Sequence, residues 1–405
     1  MFLNNHGTKK KHRALKKFRS LHFSPIILLK NIFVVGVLSI FAGTVIFPAQ
    51  AAFSEKRSKS SKKKSSKTKS SKTISSQTVS LQTVSSKTVS SKTDISDSGL
   101  SQLYNDIIQD ASVTDGTVGA GIIHLETGRE LYLNQDEPFP MASAVKIPVA
   151  VQLMTLVDRG IVKLDSMITI QASDLHPGSG HIKNRIAPGQ SLSILYLLEQ
   201  MLTVSDNSAT DIIISLVGGT TSIDRRMNLI GIQGMSIDRP IYLVLSQCQG
   251  INCFNESVPF SFQLYNQMAK KVTVQERMKA RKNFINDTRD SSTPEGMARL
   301  LGKIWCGEVL SKQSSELLLD IMSKAHGNKR IKGLLPPGTK VYHKTGTING
   351  GLSDAGIIEL PNNAGHVIVV VFVKGGRKSI HVAESAMAQI AKSAYDYFNR
   401  NSMFD

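Results

Sequence analysis

Cysteine is scarce in this chain of 405 residues, which contains three. None of them stands in the spacing of a four-ligand zinc site, so we expect no structural metal, and no pattern indicates a cofactor. Cys248 and Cys253 are separated by four residues, and such a pair can close a small disulfide loop in an oxidising compartment. Cys306 falls within a helical pattern and is predicted to be a buried thiol.

Acidic residues are almost absent from the first part of the chain. Residues 1–93 hold 19 Lys and Arg but one acid, Glu55, whereas residues 94–405 hold 30 residues of each sign. The net charge of +18 therefore belongs to the N-terminal part. Because the remainder is neutral, its overall charge indicates no nucleic-acid partner.

A long apolar run is found near the start. The basic stretch from Lys9 to Lys30 precedes 16 apolar or small residues, Ile32 to Phe47, and then an A-x-A pattern that ends at Ala51. This order is typical of an export signal, so we expect residues 1–51 to be removed by cleavage after Ala51. The run is short for a membrane span, but the basic region is long, and a retained signal anchor stays open. Either way, the rest of the chain is expected to be exported, in the periplasm or on the cell envelope.

Residues 52–93 lack the apolar side chains that a core requires. They are almost all Ser, Lys, Thr, Gln and Val, with short repeats such as Ser71-Lys-Thr-Ile. We therefore expect a disordered linker. It is either a solvated spacer or a segment whose basic residues 56–72 make electrostatic contact with an anionic envelope surface.

The folded domain is expected to cover residues 94–405. Alternating or continuous apolar runs predict strands at both of its ends, with helices between them. The predicted strands are residues 118–125, 130–133, 340–343, 355–360 and 366–373. This arrangement favours an α/β (α+β) fold, in which an antiparallel sheet from both termini is flanked by helices and an inserted all-helical lobe. A cleft is expected where the lobe meets the sheet, and we expect a monomer.

A candidate nucleophile opens the first helix of that lobe. Ser143 and Lys146 stand three residues apart at the start of an apolar helical run. Residues at i and i+3 share a helix face, so the Lys146 amine can reach the Ser143 hydroxyl and act as its base once desolvated. Alone, this spacing is common and equally fits an ordinary helix start.

Two further motifs indicate that Ser143 and Lys146 are part of a functional site. Ser205-Asp206-Asn207 follows a predicted helix, and Lys344-Thr345-Gly346-Thr347 is predicted to end a strand. Each motif alone fits a helix cap or a turn. Their occurrence together, in the order S-x-x-K, S-D-N and K-T-G, is a strong signal.

This order resembles the class A serine β-lactamases and the wider penicillin-interacting serine hydrolases. The resemblance covers about residues 97–400 and continues in Pro177-Gly-Ser-Gly180, Ser292–Leu301 and Leu335-Pro-Pro-Gly338. It implies a β-lactamase/transpeptidase-like fold and an acyl-enzyme mechanism.

The resemblance assigns the catalytic roles. Ser143 attacks the amide carbonyl, and Lys146 takes part in its activation. Ser205 passes a proton to the leaving nitrogen, and Lys344 holds positive charge near Ser205 and the substrate carboxylate. The backbone N–H groups of Ser143 and Thr347 would form the oxyanion hole.

The resemblance also implies substrate-binding residues. Asn207 orients the acylamide side chain, and Thr345 and Thr347 offer hydroxyls to the substrate carboxylate. Gly346 lets the substrate lie against the strand, where a side chain would block it. Arg330 lies where some family members place a carboxylate-binding arginine; otherwise it is a solvated surface charge.

The chain departs from class A in the loop that carries the family's deacylating glutamate. An Arg239–Asp290 pair is predicted to close the neck of this loop, which is expanded to residues 240–290. The glutamate should follow two residues after the arginine, where this chain has Ile241. Glu256, just after the cysteine pair, is the best substitute within the loop. Without a substitute, acylation can proceed while deacylation is slow.

Three functions follow from this comparison. The first is an exported serine hydrolase that opens β-lactam amides through a Ser143 acyl-enzyme. The second is a penicillin-binding D-Ala-D-Ala peptidase or transpeptidase, whose substrate is a peptidoglycan peptide. The third is a non-catalytic envelope-binding module, which the three intact motifs argue against.

Overall fold

The computed structural model describes residues 98–401. The predicted signal segment 1–51 and linker 52–93 lie outside these residues. Within residues 98–401, no helix is long and apolar enough to cross a membrane.

Twelve α-helices lie within residues 98–401. The α-helices are α1 (Ser98–Ser112), α2 (Lys146–Asp158), α3 (Ile182–Arg185), α4 (Ile194–Thr203), α5 (Asn207–Leu216), α6 (Gly219–Leu229), α7 (Ile241–Cys248), α8 (Phe262–Lys271), α9 (Val274–Ile285), α10 (Pro294–Trp305), α11 (Lys312–Ser323) and α12 (Ile380–Asn401). Short 3-10 helices cover Ala142–Val145 and Ala172–Asp174.

The strands fall into one main sheet and two small pairs. The strands are β1 (Gly116–His124), β2 (Glu130–Leu133), β3 (Phe139–Pro140), β4 (Met167–Thr169), β5 (Ser191–Ser193), β6 (Ser291–Ser292), β7 (Val341–Ile348), β8 (Gly351–Glu359) and β9 (His366–Gly375). The main sheet has the order β2-β1-β9-β8-β7, and all its neighbouring strands are antiparallel. The predicted sheet from both ends of the domain is therefore confirmed.

The sheet is covered on both faces, which explains its continuous apolar strands. Alternate residues of a strand point to opposite faces. In β9, Ile368, Val370 and Phe372 join the core shared with the helical lobe. Val369 and Val371 join a second core beneath α1 and α12. Such double burial is the reason that a run like residues 367–373 lacks polar alternation.

The helical lobe is inserted between β2 and β7. Helix α2 lies at its centre, and residues 146–155 of this helix are all buried. It contacts α4, α5, α6 and α11, which surround it with apolar side chains. A helix that is apolar all round is expected in such a position.

Two local predictions are corrected. Strand β7 continues through the Lys-Thr-Gly motif instead of ending at it, because Gly346 and Thr347 pair with Ser353 and Leu352 of β8. Cys306 is exposed, since it caps the C-terminus of α10 rather than lying within a helix.

Candidate active site

Ser143 lies in the 3-10 helix that precedes α2. Residue Ala142, just before it, has a φ of +47°, a backbone conformation that alanine rarely adopts. Such strain persists only where the surrounding structure enforces it, and it is found most often at functional sites. The bend brings the half-buried Ser143 side chain to the lining of a cleft.

Lys146 is fully buried at the first position of α2. Its Nζ lies 2.7 Å from the carbonyl oxygen and 3.1 Å from the Oγ of Ser205, and 2.9 Å from Oδ1 of Asn207. Burial lowers the pKa of Lys146 well below its usual value, and the positive charge of Lys344 lowers it further. Within residues 98–401 no hydrogen bond joins Lys146 to Ser143, so the structure points the amine first at the Ser-Asp-Asn segment.

Ser205 is held in a strained conformation by its neighbour. Its φ is +61°. The Asp206 carboxylate accepts N–H groups from the loop after Gly180, at His181 (2.6 Å) and Ile182 (2.9 Å), and from Ala209 in α5 (3.0 Å). These contacts tie the loop to the start of α5 and fix the turn that presents the Ser205 hydroxyl.

Lys344 approaches the same hydroxyl from the sheet. Its Nζ lies 3.0 Å from Ser205 Oγ, so this oxygen stands between two buried amines. Burial lowers the pKa of Lys344 to about 7; the nearby Asp354 carboxylate raises it, and Arg330 lowers it. A lysine with such a pKa can exchange protons at neutral pH.

Gly346 brings the edge strand β7 against the nucleophile. A Cβ on this residue would lie 2.6 Å from the Ser143 nitrogen and 2.3 Å from Ser353 Oγ. Both distances are shorter than van der Waals contact, so the approach requires glycine. Thr345 and Thr347, on either side of Gly346, both line the cleft.

Arg330 is buried behind this strand and is not a surface charge. Its guanidinium donates to the carbonyl oxygens of Gly346 (2.7 Å) and Ser353 (2.9 Å) and to Thr347 Oγ1 (2.6 Å). The same guanidinium lies 3.4 Å from the Glu384 carboxylate, so its positive charge behind the Thr347 hydroxyl is paired. Arg330 is not among the residues that line the cleft.

The cleft has a volume of about 310 Å³. Ser143, Ser205, Asn207, Thr345 and Thr347 line it, so the structure brings together residues from all three motifs. The cleft is also lined by apolar residues that the sequence analysis did not single out: Val244, Leu245, Phe284 and Ile348. No motif marks them, and they come from three separate elements, α7, α9 and β7.

A model of the β-lactamase enzyme family matches residues 100–398. The chain belongs to this family. The β-lactamase VEB-1 of Pseudomonas aeruginosa is 30% identical over 291 residues, which are 69% of this chain and 85% of that protein. The solved structure of a β-lactamase from Chitinophaga pinensis is 29% identical, with a TM-score of 0.60, and covers 73% of this chain and 98% of its own. These matches confirm the predicted fold, and the protein is a serine hydrolase of the β-lactamase family.

A penicillin-binding neighbour is also similar. PBP-A is 27% identical, with a TM-score of 0.59, and the match covers 74% of this chain and 97% of that chain. A solved structure of a substituted PBP-A is described as an acyl-enzyme complex with penicillin G.

The neck of the family's loop is closed as predicted. Arg239 Nε lies 2.5 Å from Asp290 Oδ2, and Asp290 Oδ1 accepts the backbone N–H groups of Asp238 and Arg239. Asp290 has a φ of +51°, which the pairing holds in place. The expanded segment beyond this neck is mostly helical, because it folds into α7, α8 and α9.

Ile241 lines the cleft where a class A enzyme is expected to carry its glutamate. Asp290 is the one carboxylate among the residues that line the cleft in the described part of the chain. Its oxygens are occupied by Arg239 and by backbone N–H groups, so it offers little capacity to hold a water.

Glu256 does not replace the glutamate, contrary to the sequence prediction. It lines a separate cavity of about 590 Å³ with Tyr242 and Phe260. Ile241 lines the catalytic cleft with Ser143, whereas the next residue of α7, Tyr242, lines the other cavity with Glu256. The two cavities are separate because successive helix residues point in different directions. Glu256 is exposed on a loop and does not line the catalytic cleft.

The Cys248–Cys253 disulfide that the spacing allows is not formed in this structure, which holds both residues as thiols. Cys248 is the buried last residue of α7, whereas Cys253 is exposed in the irregular segment that follows. Helix formation by residues 241–248 fixes the direction of the Cys248 side chain, and the loop spacing alone could not anticipate that.

A buried acid fixes the start of α7, and the sequence analysis missed it. The Asp211 carboxylate accepts the N–H groups of Ile241 (2.6 Å) and Tyr242 (3.0 Å) and lies 2.7 Å from His176 Nδ1. An acceptor at a helix N-terminus satisfies N–H groups that the helix leaves open. Its position four residues after Asn207 places both side chains on the same helix, α5.

Proposed function

We propose that the protein is acylated on Ser143 by β-lactams and releases the acyl group slowly. The observation that carries this proposal is the Ser205 hydroxyl, held between the buried amines of Lys146 and Lys344. That arrangement, next to Ser143 and the Gly346 edge, suits proton transfer during acylation. The cleft wall at Ile241 lacks the group that would activate water for the second step.

Lys146 acts as the base that activates Ser143. Burial lowers the pKa of this amine well below its usual value, which favours the neutral form that can accept a hydroxyl proton; its N–H groups bind the Ser205 carbonyl and Asn207 Oδ1. Ser143 Oγ bonds to the substrate carbonyl carbon while its proton moves to Lys146. The proton lost by Ser143 thereby enters the network around Ser205.

Ser205 completes the proton path to the leaving nitrogen. When the C–N bond breaks, the nitrogen takes the Ser205 hydroxyl proton, which Lys146 replaces over the 3.1 Å hydrogen bond. The N–H groups of Ser143 and Thr347 stabilise the oxyanion. Lys344, Thr345 and the Arg330-backed Thr347 hydroxyl bind the substrate carboxylate. Gly346 keeps this edge open, and Asn207 directs the acylamide group through its second amide hydrogen.

A wall-peptide activity is the second candidate. A penicillin-binding D-Ala-D-Ala peptidase or transpeptidase uses the same acylation, and the apolar residue Ile241 favours it because fast β-lactam hydrolysis needs an activated water. The similarity to PBP-A agrees with this alternative.

We propose the cellular context from the sequence alone. The chain is exported with cleavage after Ala51, residues 52–93 form a linker that contacts an anionic envelope through residues 56–72, and residues 94–405 form a monomeric folded domain. The basic N-terminal composition supports the envelope contact.

The test mixes the full chain with a chromogenic cephalosporin and follows both absorbance and intact mass. The expected result is a burst of about one equivalent with a persistent adduct, absent in Ser143→Ala. Sustained turnover with little adduct would contradict slow deacylation. Absence of both adduct and turnover would contradict acylation by β-lactams.

A further inference from the structure

A strongly basic surface lies on the expanded segment, outside the catalytic cleft. Helices α8 and α9, with the two residues between them, hold six Lys and Arg but one acid, Glu276. Because residues 94–405 are neutral as a whole, the rest of this domain carries five more acids than bases. Positive charge is therefore concentrated on one pair of helices, which indicates an anionic partner.

Four lysines and two apolar residues of these helices form one exposed surface. We define this basic face as Lys270, Lys271, Val274, Met278, Lys279 and Lys282, all of which are exposed. Residues four apart lie on the same side of a helix, so Val274, Met278 and Lys282 form one row on α9. Val274 is 69% exposed and Met278 is 68% exposed. Exposed apolar residues among lysines are typical of a helix that lies on a membrane surface.

The lysines of the basic face have no acidic partner. Within residues 98–401, none of the four forms a salt bridge or a side-chain hydrogen bond. The one acid of the two helices, Glu276, is held at the start of α9, where its carboxylate accepts the Thr273 N–H (2.8 Å) and hydroxyl (2.9 Å). All four lysine charges are therefore available to a partner.

Contacts on the buried side of α9 fix the orientation of the basic face. Phe284 is buried in a cluster with Val244 of α7. Arg277 donates a hydrogen bond to the carbonyl oxygen of Ala269, which joins α9 to α8. The helix is therefore held on the rest of the domain by residues that do not belong to the basic face.

The composition of the basic face favours a lipid surface over a soluble polyanion. An anionic polymer would bind the lysines but would leave Val274 and Met278 in water. The interface of an anionic bilayer buries apolar side chains and also attracts lysines, at about fivefold in binding for each one. Lysine suits this position, because its methylene stem can lie along lipid while its ammonium group remains at the phosphates.

We propose that the basic face binds a membrane surface that contains anionic phospholipid, with Val274 and Met278 in the lipid and the lysines at the phosphate groups. This site is separate from residues 56–72 and does not depend on acylation of Ser143. Phe284, which lines the catalytic cleft, lies on a different side of α9. The lipid and the lining of the cleft are therefore about one helix diameter apart, on the order of 10 Å.

The test places an environment-sensitive dye on the basic face of the full chain. Cys253→Ser and Cys306→Ser remove the exposed thiols, and Met278→Cys then supplies the thiol that is labelled. Vesicles of phosphatidylglycerol and phosphatidylcholine are added until the fluorescence no longer changes. Under these conditions the basic N-terminal part can recruit every molecule, so the dye reports whether the basic face itself enters the lipid. We expect the fluorescence to rise at least about threefold, and not to rise with phosphatidylcholine alone.

A second dye position controls for general contact with the vesicle. Residue 167 is also a methionine, is 60% exposed on β4 and lies outside the basic face. Met167→Cys, labelled in the same background, is expected to show no rise.

Charge variants show whether the lysines cause the insertion. Lys279→Gln together with Lys282→Gln should weaken insertion of the dye at residue 278 about thirtyfold and so remove most of the rise. Lys312→Gln together with Lys324→Gln changes two exposed lysines at the ends of α11 and is expected to keep the rise. Circular dichroism confirms that each labelled variant is folded.

The outcomes decide the proposal. No rise at residue 278, an equal rise at residues 278 and 167, or a rise that survives loss of both lysines would overturn it. A response of the dye at residue 278 to dextran sulfate but not to vesicles would assign the face to an acidic polymer and would also overturn it. These results are independent of acylation, because Met278 does not line the catalytic cleft.

Discussion

The two sides of the catalytic cleft differ in what they contribute. The side formed by α2, the Ser-Asp-Asn turn and β7 holds two buried lysines around one hydroxyl, with strained backbone at Ala142 and Ser205. The side formed by α7 and α9 is apolar, and Ile241 stands on it. In the proposed mechanism the first side forms the acyl-enzyme, whereas within residues 98–401 α7 and α9 contribute no carboxylate to the lining of the cleft. We therefore propose that acylation and deacylation depend on separate parts of this fold.

The largest effect is expected from breaking the polar side. Lys146→Met removes the base and should slow adduct formation on Ser143 by about a thousandfold. The measurement is the rate of adduct formation by intact mass. Lys312→Met, at an exposed position on α11, serves as the control and should react normally. A variant that still acylates at the normal rate would show that another group activates Ser143.

The second-largest effect is expected from adding a carboxylate to the apolar side of the cleft. Ile241→Glu places a carboxylate on the lining of the cleft, at a backbone position that Asp211 holds. The lifetime of the acyl-enzyme should fall by about a hundredfold, because a general base can activate water. Decay of the adduct mass after removal of excess β-lactam measures this. Ile241→Gln is the control of similar shape; equal lifetimes in both variants would contradict the explanation.

A smaller effect concerns pH. Binding of a substrate carboxylate requires protonated Lys344, whose pKa is about 7. Lys344 is mostly protonated below that pH and mostly neutral above it, so the rate of acylation should fall as the pH rises through about 7. In Lys344→Arg the charge persists to high pH, and this decline should disappear even if the rate is lower. Adduct formation between pH 6 and 9 tests it. A decline that is the same in both proteins would assign it to another group.

The smallest effect concerns the accessibility of the three cysteine thiols, two of which lie in the expanded segment. Cys253 and Cys306 are exposed, whereas Cys248 is buried and burial raises its pKa to about 11. A thiol reagent should label two residues in the native protein, and the third only after denaturation. Labelling is done without reductant, with a reduced and denatured sample as the reference. If Cys306 alone were labelled, and reductant released two more thiols, the result would show that Cys248 and Cys253 form a disulfide.

Local patterns were sufficient for the main sheet and for the central helix of the lobe. Five apolar strands and the helix that begins near Ser143 could be predicted, because their patterns reflect which faces are buried. The segment 240–290 could not be predicted well, since its helices are stabilised by tertiary contacts such as Phe284 with Val244. Glu256 was chosen by its place in the sequence, and the direction of α7 placed it in another cavity.

The sequence by itself determined the chemistry: a serine and two lysines in three motifs, each on a predictable element, and an isoleucine where a glutamate was expected. The tertiary structure alone decided how those groups act on one another. Burial changes the pKa values of Lys146 and Lys344, because a charge removed from water is destabilised. Packing alone also buried Arg330 behind Thr347 and placed Leu245 beside Asn207. Such contacts join residues far apart along the chain, and no local pattern records them.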